Sequence, residues 1–319
     1  RWFGQAKAGQ QTQRKETSLM STEHCDNHLH ADYYADDSVH QTAEVIENVE
    51  VAEGTWRIRF RAPEMAAQCK HGQFIMLKIS DRDDPLIGRP LAVFDITPDE
   101  HGTPRDLDAV YLVKGNLTTR LVHVVAGQHL DVWGPLGNGF LPAPTRHLIM
   151  VAGGIGQTPF VTLAREYLGL ENYGRECPAA EKVTLCYGAR HQGLLAGVDT
   201  FESVEGLDVR ICTDDGSRGH HGLVTEVLEQ VLTEDRQEHG SNQGVRIVCC
   251  GPEPMMEAVA GVSKTWEVDC QVSLETPMAC GIGICFTCVT KVLQEDGSWD
   301  YKRTCVEGPV FDASKIVWH

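Results

Sequence analysis

The sequence predicts a multi-domain β + α/β protein, with an antiparallel β-barrel, an α/β domain built on a parallel sheet, and a cysteine-rich C-terminal segment. Short runs of alternating polar and apolar residues fill the first half of the chain. Continuous apolar runs, separated by helical stretches, fill most of the second half, and four cysteines gather near the C-terminus. Alternation with period two is typical of antiparallel strands, whereas uninterrupted apolar runs are typical of parallel strands buried on both faces.

The composition argues against several classes of partner. The chain of 319 residues is long enough for two or three domains with ordinary hydrophobic cores. Its formal net charge of −17 argues against nucleic acid and anionic membranes, because phosphates would be repelled. No apolar run approaches the roughly 20 residues that span a bilayer, and the polar N-terminus does not resemble a signal peptide. The twelve cysteines therefore predict metal binding in a reducing cytoplasm rather than disulfides.

The first 42 residues are predicted to form a mobile N-terminal extension. They are rich in Gln, Thr, Asp and His and show little apolar periodicity. A polar flexible tract is the favoured interpretation of this segment. The alternative is a metal site formed by the side chains of His24, Cys25, His28, His30 and His40.

Residues 43–143 are predicted to form the barrel. The runs AEVIENVEV, TWRIRFRAP, GQFIMLKI, DAVYLVKG and QHLDVWGP are separated by Gly, Pro and Asp, which indicates about six short antiparallel strands in a barrel or sandwich. Arg89 lies at a strand edge, where its guanidinium can hold a phosphate bidentately, although a surface arginine is the commoner outcome. Gly115 precedes the hydroxyls of Thr118 and Thr119 at a predicted helix start, which is a natural anion site.

Residues 144–264 are predicted to form the α/β domain. The runs HLIMVAGG, VTLCYGAR, DVRICTDD and VRIVCCGP indicate buried strands, and helical stretches such as GLVTEVLEQVL lie between them. Buried strands that alternate with helices predict a parallel sheet with right-handed crossovers.

The first strand of this domain ends in a glycine turn that predicts dinucleotide binding. Gly153, Gly154 and Gly156 differ from the G-x-G-x-x-G fingerprint, but such a turn also brings the backbone close to a phosphate at the start of a helix. Thr158 is predicted to cap that helix and Pro159 to be its first residue. An ordinary strand-to-helix turn is the alternative.

A second turn, Cys250-Gly251-Pro252, ends a later strand of the same domain. Ligands bind at the carboxyl edge of such sheets, so Cys250 is predicted to lie at the mouth of the cleft. For a single cysteine, however, a buried inert thiol is the commoner outcome. Met255 and Met256 are predicted to belong to the core.

Residues 265–319 are predicted to bind an iron–sulfur cluster. The spacing C-x4-C-x2-C, followed by sixteen residues and a fourth cysteine, is the plant-type [2Fe–2S] spacing. The proposed ligands are Cys280, Cys285, Cys288 and Cys305. Gly281 and Gly283 allow the loop to fold tightly, so that its amides can point at the sulfurs. A structural zinc site is less favoured, because zinc sites prefer paired C-x2-C knuckles.

Taken in order, these motifs resemble those of the electron-transfer subunit of the NAD-linked dihydroorotate dehydrogenase, within the ferredoxin-NADP reductase superfamily. The resemblance covers residues 43–319 and is carried by GQF at 72–74, RPLA at 89–92, GPLGNGF at 134–140, GGIGQTP at 153–159, TDDGSRG at 213–219, CGPEPMM at 250–256 and the cysteine loop. It implies an antiparallel Greek-key FAD-binding β-barrel, an NAD-binding α/β domain with a parallel sheet, and a C-terminal [2Fe–2S] cluster segment.

The resemblance also implies contact residues. For the flavin these are Arg89, Pro90, Leu91, Ala92, Val110, Tyr111, Leu112, Leu117 and Thr118. For the nicotinamide dinucleotide they are Gly153, Gly154, Gly156, Thr158, Cys250, Gly251 and Pro252. The four cysteines are carried onto the cluster, and no catalytic side chain is implied.

The chain departs from the family pattern at two positions. Family members usually have a serine after R-P-x, where this chain has Ala92, and many have G-x-G-T, where this chain has Leu117 before Thr118. Loss of the serine hydroxyl removes one hydrogen bond to the flavin, worth about 1 kcal/mol, which weakens binding without abolishing it.

The activity implied by the resemblance is electron transfer from an FMN-containing dihydroorotate dehydrogenase catalytic subunit, through [2Fe–2S] and FAD, to NAD+ in pyrimidine biosynthesis. The flavin must stand between the other two, because the cluster carries one electron and nicotinamide accepts two at once. A dihydroorotate-oxidising (β/α)8 barrel needs about 250 residues, for which the assigned domains leave no room, so a second subunit is expected.

The sequence leaves other functions possible. A subunit of the same build can serve a ferredoxin-dependent transhydrogenase, a sulfhydrogenase or an oxygenase, and a non-catalytic zinc-binding regulator is a remote alternative. Arg190 and His191 could pair with the 2'-phosphate of NADP, although the resemblance favours NAD.

Overall fold

The computed structural model describes residues 35–82 and 84–318. The candidate metal ligands His24, Cys25, His28 and His30 lie outside the described residues, as does most of the predicted extension. In the part of the chain that is described, no helix is long and apolar enough to cross a membrane.

The first half of the chain folds into a closed antiparallel barrel of six strands, as the alternating runs predict. The strands are β1 (Val39–Ala52), β2 (Thr55–Arg61), β3 (Phe74–Ile79), β4 (Arg89–Pro98), β5 (Pro104–Leu112) and β6 (His129–Leu136), with short helices α1 (Pro63–Gln68) and α2 (Asn116–Leu121). They are hydrogen-bonded in the order β1-β2-β5-β4-β3-β6, and β6 pairs back with β1. The inward side chains form one apolar core.

The barrel begins at Val39 rather than at the predicted boundary, residue 43. The segment from Val39 to Thr42 pairs with β6, where His40 lies opposite Trp133. The polar composition of this segment hides the strand, because the pairing rests on backbone hydrogen bonds that carry no compositional signal.

The second half forms a seven-stranded sheet with helices beside it. Its strands and helices are β7 (His147–Gly153), α3 (Phe160–Tyr167), β8 (Lys182–Ala189), α4 (Val198–Glu202), β9 (Leu207–Thr213), β10 (His220–His221), α5 (Val224–His239), β11 (Val245–Cys250), α6 (Glu253–Trp266) and β12 (Asp269–Ser273). Beyond these lie β13 (Val289–Leu293), β14 (Trp299–Arg303) and β15 (Val310–Asp312). The sheet order is β10-β9-β8-β7-β11-β12-β15, and all pairs but the last are parallel.

The cysteine-rich segment is not a separate unit, although the sequence places a boundary after residue 264. Helix α6 runs across that boundary to Trp266, and β12 and β15 form one edge of the α/β sheet. Only the stretch between these strands, with the hairpin β13–β14, carries the cysteines away from the sheet. Cys270 and Val272 are buried in the domain core, which explains why this segment joins the sheet.

The barrel and the α/β domain share one apolar core. Phe94 of β4 and Val110 of β5 pack in the same cluster as Phe160 of α3 and Phe201 of α4. An ion pair between the carboxylate of Asp95 and the guanidinium of Arg165, 2.7 Å apart, lies at the same boundary. Burial of large side chains across the boundary fixes the barrel relative to the sheet.

A buried polar network fixes α5 against the sheet. His147 Nδ1 lies 2.7 Å from Asp235, and its Nε2 lies 2.9 Å from the hydroxyl of Thr184. Arg146 completes the network with two hydrogen bonds to Asp235. A neutral imidazole with its proton on Nδ1 satisfies both of its contacts. Burial lowers the pKa of His147 below its ordinary value, so the ring stays neutral in the folded protein.

We expect this network to make the free energy of unfolding depend on pH. Because the pKa of His147 is lowered on folding, the unfolded chain takes up its proton first, near pH 6.5. Stability is therefore complete above that pH and decreases as the pH falls, by at most about 1.4 kcal/mol per pH unit for this group. Urea midpoints between pH 7.5 and 5.5 should fall less steeply in His147→Gln than in the wild type.

Replacement of the exposed His101 by Gln is the matched control, and it should leave the slope unchanged. Equal slopes in the wild type and His147→Gln would contradict the assignment.

Candidate iron–sulfur and dinucleotide sites

The structure brings the four predicted ligands together as two pairs of sulfurs. Cys280 Sγ lies 3.2 Å from Cys285 Sγ, and Cys288 Sγ lies 3.1 Å from Cys305 Sγ. All four are free thiols, since a disulfide would place the sulfurs about 2.05 Å apart. The first three lie in the loop between β12 and β13, and the fourth follows β14. One pair of thiols for each of two irons is the arrangement that a diiron cluster requires.

The paired arrangement argues against a structural zinc site. A structural zinc ion takes four ligands around a single point. Two pairs of sulfurs therefore fit two irons better than one zinc.

A backbone amide of the loop points at a ligand sulfur, as expected for a tightly folded glycine loop. The Ile282 N–H donates to Cys280 Sγ at 3.4 Å. Gly281 and Gly283 have φ values of +75° and +82°, in the left-handed region that favours glycine.

One thiol in each pair has a lowered pKa. Burial raises the pKa of Cys285, but hydrogen bonds from Thr287 and Cys280 outweigh it and bring the pKa to about 6. The hydrogen bond from Cys305 lowers the pKa of Cys288 to about 6. The thiolate is the form that binds iron, so Cys285 and Cys288 are biased toward ligation, whereas the hydrogen bond with Cys288 raises the pKa of Cys305.

The two pairs differ in their exposure to solvent. Cys288 and Cys305 are buried, whereas Cys285 is exposed and lies between Ile284, which is 67% exposed, and Phe286, which is 51% exposed. The loop thus presents an apolar edge to solvent beside one ligand pair and keeps the other pair in the core.

The cysteine loop packs directly on the barrel. The indole N–H of Trp133 donates to the carbonyl of Cys280 at 3.0 Å. A Cβ on Gly281 would lie 2.5 Å from Cγ of Met76, so this glycine is required for the close approach. Met76 and Leu136 belong to the same apolar cluster as Cys288. No sequence motif singles out Trp133 or Met76, because each resembles any other residue of a barrel strand.

The predicted flavin-binding strand is the neighbour of the strand that contacts the loop. On β3, Met76 lies opposite Pro90 and Phe74 lies opposite Ala92 of β4. Arg89 is exposed at the first position of β4, as predicted, and its Nη1 donates to the carbonyls of Ile87 and Gly88. The strand RPLA is therefore one strand away from the cysteine loop.

The other predicted flavin contacts divide into buried and exposed residues. Tyr111 is buried in the barrel and donates its hydroxyl to Asn48, and Leu117 is buried in the same core. Val110 packs in the core shared with the α/β domain, and Leu112 is exposed. The side chains of Tyr111 and Leu117 are thus committed to packing and do not lie on a surface where a cofactor would bind.

The hydroxyl of Thr118 is occupied by the start of α2. It accepts hydrogen bonds from the N–H groups of Lys114 and Gly115, each at 3.0 Å, and donates to the carbonyl of Gly115. The prediction of a helix start here is confirmed, since α2 begins at Asn116. The threonine, however, stabilises its own turn instead of presenting a free hydroxyl to an anion.

The two glycine turns of the α/β domain lie against each other at the carboxyl edge of β7 and β11. A Cβ on Gly156 would lie 2.1 Å from the carbonyl oxygen of Cys250, and one on Gly153 would lie 2.4 Å from Sδ of Met255. Gly251 and Pro252 follow directly and lead into α6. These glycines are required by the packing of one turn on the other, and the packing leaves two backbone turns side by side.

The predicted cap of the helix after the first turn is wrong. A 3-10 turn from Gly154 to Gln157 follows β7, and α3 begins only at Phe160, after Pro159 in the N-cap position. Thr158 is buried, has helical φ and ψ, and makes no capping hydrogen bond from its side chain. Gly154, with φ of +55°, allows the chain to turn earlier than a standard cap would.

Cys250 is a partly buried thiol at this edge. Desolvation raises its pKa to about 12, so the sulfur stays protonated. Met256 lies in the domain core, as predicted.

We expect Gly281→Ala to disturb the cysteine loop far more than a matched glycine substitution. The new methyl group would meet Met76 and Leu136, and the loop would have to move away from the barrel. Bound iron and the visible absorbance per protein should both decrease. Gly297→Ala is the control, because Gly297 has a similar φ of +82° but open space around it. Equal iron content in the two variants would show that the contact with the barrel is dispensable.

Two family models match the chain. One, described as the iron-sulfur cluster binding domain of dihydroorotate dehydrogenase B, matches residues 275–317, which include all four cysteines. The other, described as the oxidoreductase NAD-binding domain, matches residues 150–261, which include both glycine turns.

Curated relatives match nearly the whole chain. The dihydroorotate dehydrogenase B (NAD(+)), electron transfer subunit of Caldanaerobacter subterraneus is 32% identical over 278 residues, which cover 86% of this chain and 98% of the relative. The protein of the same name from Geobacillus thermodenitrificans is 34% identical over 275 residues, covering 84% and 94%.

Solved structures share the architecture. The structure of an NADH-dependent reduced ferredoxin-NADP oxidoreductase is similar with a TM-score of 0.69 and 26% identity, covering 86% of this chain and 90% of that one. Phthalate dioxygenase reductase is similar with a TM-score of 0.55 and 16% identity, covering 84% and 94%, which shows the fold alone. The chain therefore belongs to the family of the electron transfer subunit of dihydroorotate dehydrogenase B (NAD+), and it is an NAD-linked oxidoreductase subunit that uses FAD and a [2Fe–2S] cluster.

Proposed function

We propose that this chain carries electrons from a dihydroorotate-oxidising FMN subunit to NAD+ in pyrimidine biosynthesis. The observation that supports this most directly is the packing of the paired thiols on β3, next to the predicted flavin-binding strand β4. We assign FAD to the barrel, predicted at 43–143 and extended by β1 to Val39, NAD to the α/β domain, predicted at 144–264, and the cluster to the cysteine loop within 265–319. The free thiols of the described residues fit a cytoplasmic location, where cysteines stay reduced.

We propose Cys280, Cys285, Cys288 and Cys305 as the cluster ligands. When bound, the cluster supplies one-electron transfer, the flavin both one- and two-electron transfer, and NAD+ accepts hydride. Trp133 and Met76 hold the ligand loop against the barrel, and the apolar cluster around Cys288 excludes water from that side.

Arg89 is the proposed anchor for the phosphates of FAD. None of the ion pairs among the residues that the structure describes involves Arg89, and only its Nη1 is engaged by carbonyl groups. An exposed guanidinium without a carboxylate partner keeps donors available for a phosphate. Pro90, Leu91 and Ala92 would lie along the flavin.

The two adjacent glycine turns are the proposed site for NAD. Gly153, Gly154 and Gly156 offer a backbone surface without side chains, and Gly251 and Pro252 lie beside it. Backbone that approaches a pyrophosphate closely is the usual role of glycines at this edge of a parallel sheet. Thr158 and Cys250 would shape the turns through packing.

The exposed edge of the cysteine loop is the proposed surface for the FMN subunit. Ile284 and Phe286 flank Cys285 there, and Trp299 and Tyr301 of β14 are also exposed. Exposed apolar and aromatic side chains of this kind are enriched at protein interfaces. Docking at this edge would bring the partner close to the exposed ligand pair.

A second candidate is a reductase subunit of a ferredoxin-dependent transhydrogenase. It is supported by the similarity to the NADH-dependent reduced ferredoxin-NADP oxidoreductase, which covers most of both chains. The two candidate functions use the same cofactors and differ in the partner protein. An assay that offers the chain each partner in turn therefore distinguishes them.

Reconstitution tests the proposed function. We expect the purified protein, mixed with its cognate FMN subunit, to reduce NAD+ when dihydroorotate is added. Cys288→Ser should abolish this coupled reaction because it removes a buried ligand of the cluster, while NADH oxidation with ferricyanide continues through the flavin. Cys270→Ser, which replaces a buried cysteine away from the loop, is the control and should retain the coupled activity.

Two outcomes would redirect the assignment. Coupling to reduced ferredoxin, with none to dihydroorotate, would favour the transhydrogenase candidate. A colourless protein without iron would reject the cluster ligands themselves.

The departure at Ala92 gives a separate prediction. Ala92→Ser restores a hydroxyl beside the flavin, which we expect to tighten FAD binding by about fivefold, the equivalent of one hydrogen bond of about 1 kcal/mol. Fluorescence titration of the apoprotein with FAD measures this. Ala109→Ser, on the adjacent strand β5 but buried in the barrel core, is the control and should not tighten binding.

A further inference from the structure

Arg303 is a buried cation beside the cysteine loop that the sequence motifs do not account for. Its side chain is only 5% exposed, at the end of β14 and two residues before Cys305. Its Nη1–H donates to the carbonyl of Gly283 at 3.1 Å, and its Nε lies 3.3 Å from the carboxylate of Glu307. A buried arginine needs such partners, because an uncompensated buried charge is strongly destabilising.

The same guanidinium supports a strained residue of the loop. Phe286 has φ of +56°, a left-handed conformation that is unfavourable for a bulky side chain. Its ring lies over Arg303, with the guanidinium carbon 4.9 Å from the ring centroid. A cation–π contact of this kind stabilises the ring, which lies between Cys285 and Cys288.

Arg303 also connects the two pairs of ligands. Gly283 lies between Cys280 and Cys285 in the sequence, and its carbonyl accepts from Arg303, two residues before Cys305. The segment between the first two ligands is thus held by the strand that delivers the fourth ligand, so a shift of Arg303 would move the two pairs relative to each other.

Two cations lie beside the carboxylate of Glu307 behind the cysteine loop. Glu307 is shared by Arg303 and by Lys302, whose Nζ lies 3.0 Å from it, so two cations face one carboxylate. Reduction adds a negative charge to a cluster that already has four thiolate ligands. A buried positive charge nearby stabilises the reduced form more than the oxidised one.

We propose that Arg303 is a positioning residue that fixes the geometry of the [2Fe–2S] loop through Gly283 and Phe286 and raises the reduction potential of the centre. The proposal rests on the four cysteines as ligands, as given under the proposed function.

The test uses the full-length protein isolated with its cluster and measures two quantities. One is the midpoint potential of the cluster, from a titration followed by electron paramagnetic resonance. The other is the rate at which a chelator bleaches the visible absorbance. Arg303→Met should shift the potential to a more negative value and bleach about ten- to a hundredfold faster, because it removes a charge-assisted hydrogen bond. Arg303→Lys should keep a potential near that of the wild type but still bleach faster, since it retains the charge and loses the planar fork.

Glu307→Gln should shift the midpoint potential in the direction opposite to Arg303→Met. It keeps an oxygen acceptor but removes the negative charge, so the potential should become less negative. Arg175→Met is the matched control, because Arg175 is also largely buried and pairs with Glu166 at 2.6 Å in the α/β domain. It should change neither the potential nor the rate of bleaching.

The proposal is overturned if Arg303→Met has the potential and bleaching rate of the wild type, or if Arg303→Met and Glu307→Gln shift the potential in the same direction. Should Arg303→Met fail to fold, Glu307→Gln decides the electrostatic part, and an unchanged potential in that variant overturns it. A wild-type protein without iron would instead defeat the ligand assignment on which the proposal rests.

Discussion

The arrangement of this protein depends on the close packing of the cysteine loop against β3 and β6 of the barrel. Gly281 lies so near Met76 that no side chain fits between them, and Trp133 holds the carbonyl of Cys280. A loop attached to the far edge of the α/β sheet is in this way fixed on the barrel. The position of the cysteine loop on the barrel is therefore set by van der Waals contact and one hydrogen bond, and not by a flexible linker.

A second constraint holds the barrel and the α/β domain in a fixed position relative to each other. Phe94 and Val110 of the barrel share a core with α3 and α4, and the pair Asp95–Arg165 lies at the boundary. Because β4, the proposed flavin-binding strand, also contributes Phe94, this strand is paired on one side with β3, which contacts the cysteine loop, and is packed against the α/β domain through Phe94. The same strand therefore connects the three proposed cofactor sites.

The polar groups near the cluster are arranged around the sulfurs and their loop. The amide of Ile282 faces the sulfur of Cys280, while Arg303 and Glu307 form a charged pair behind the loop. On the other side of the loop, Ile284 and Phe286 are exposed to solvent. The loop is thus rigid where it meets the protein core and open where a partner can approach.

The sequence was sufficient for what depends on local pattern. The strand runs, the order of the two domains and the four cysteines follow from alternation, apolar runs and spacing, since each is a property of neighbouring residues. Features that depend on contacts between distant residues were decided only by the tertiary structure. The pairing of β12 with β15, the burial of Tyr111 and Leu117 and the contact of Arg303 with Gly283 join segments that are separated in the chain. No local pattern encodes these contacts, because a buried residue and an exposed one of the same type look alike until the chain around them is packed.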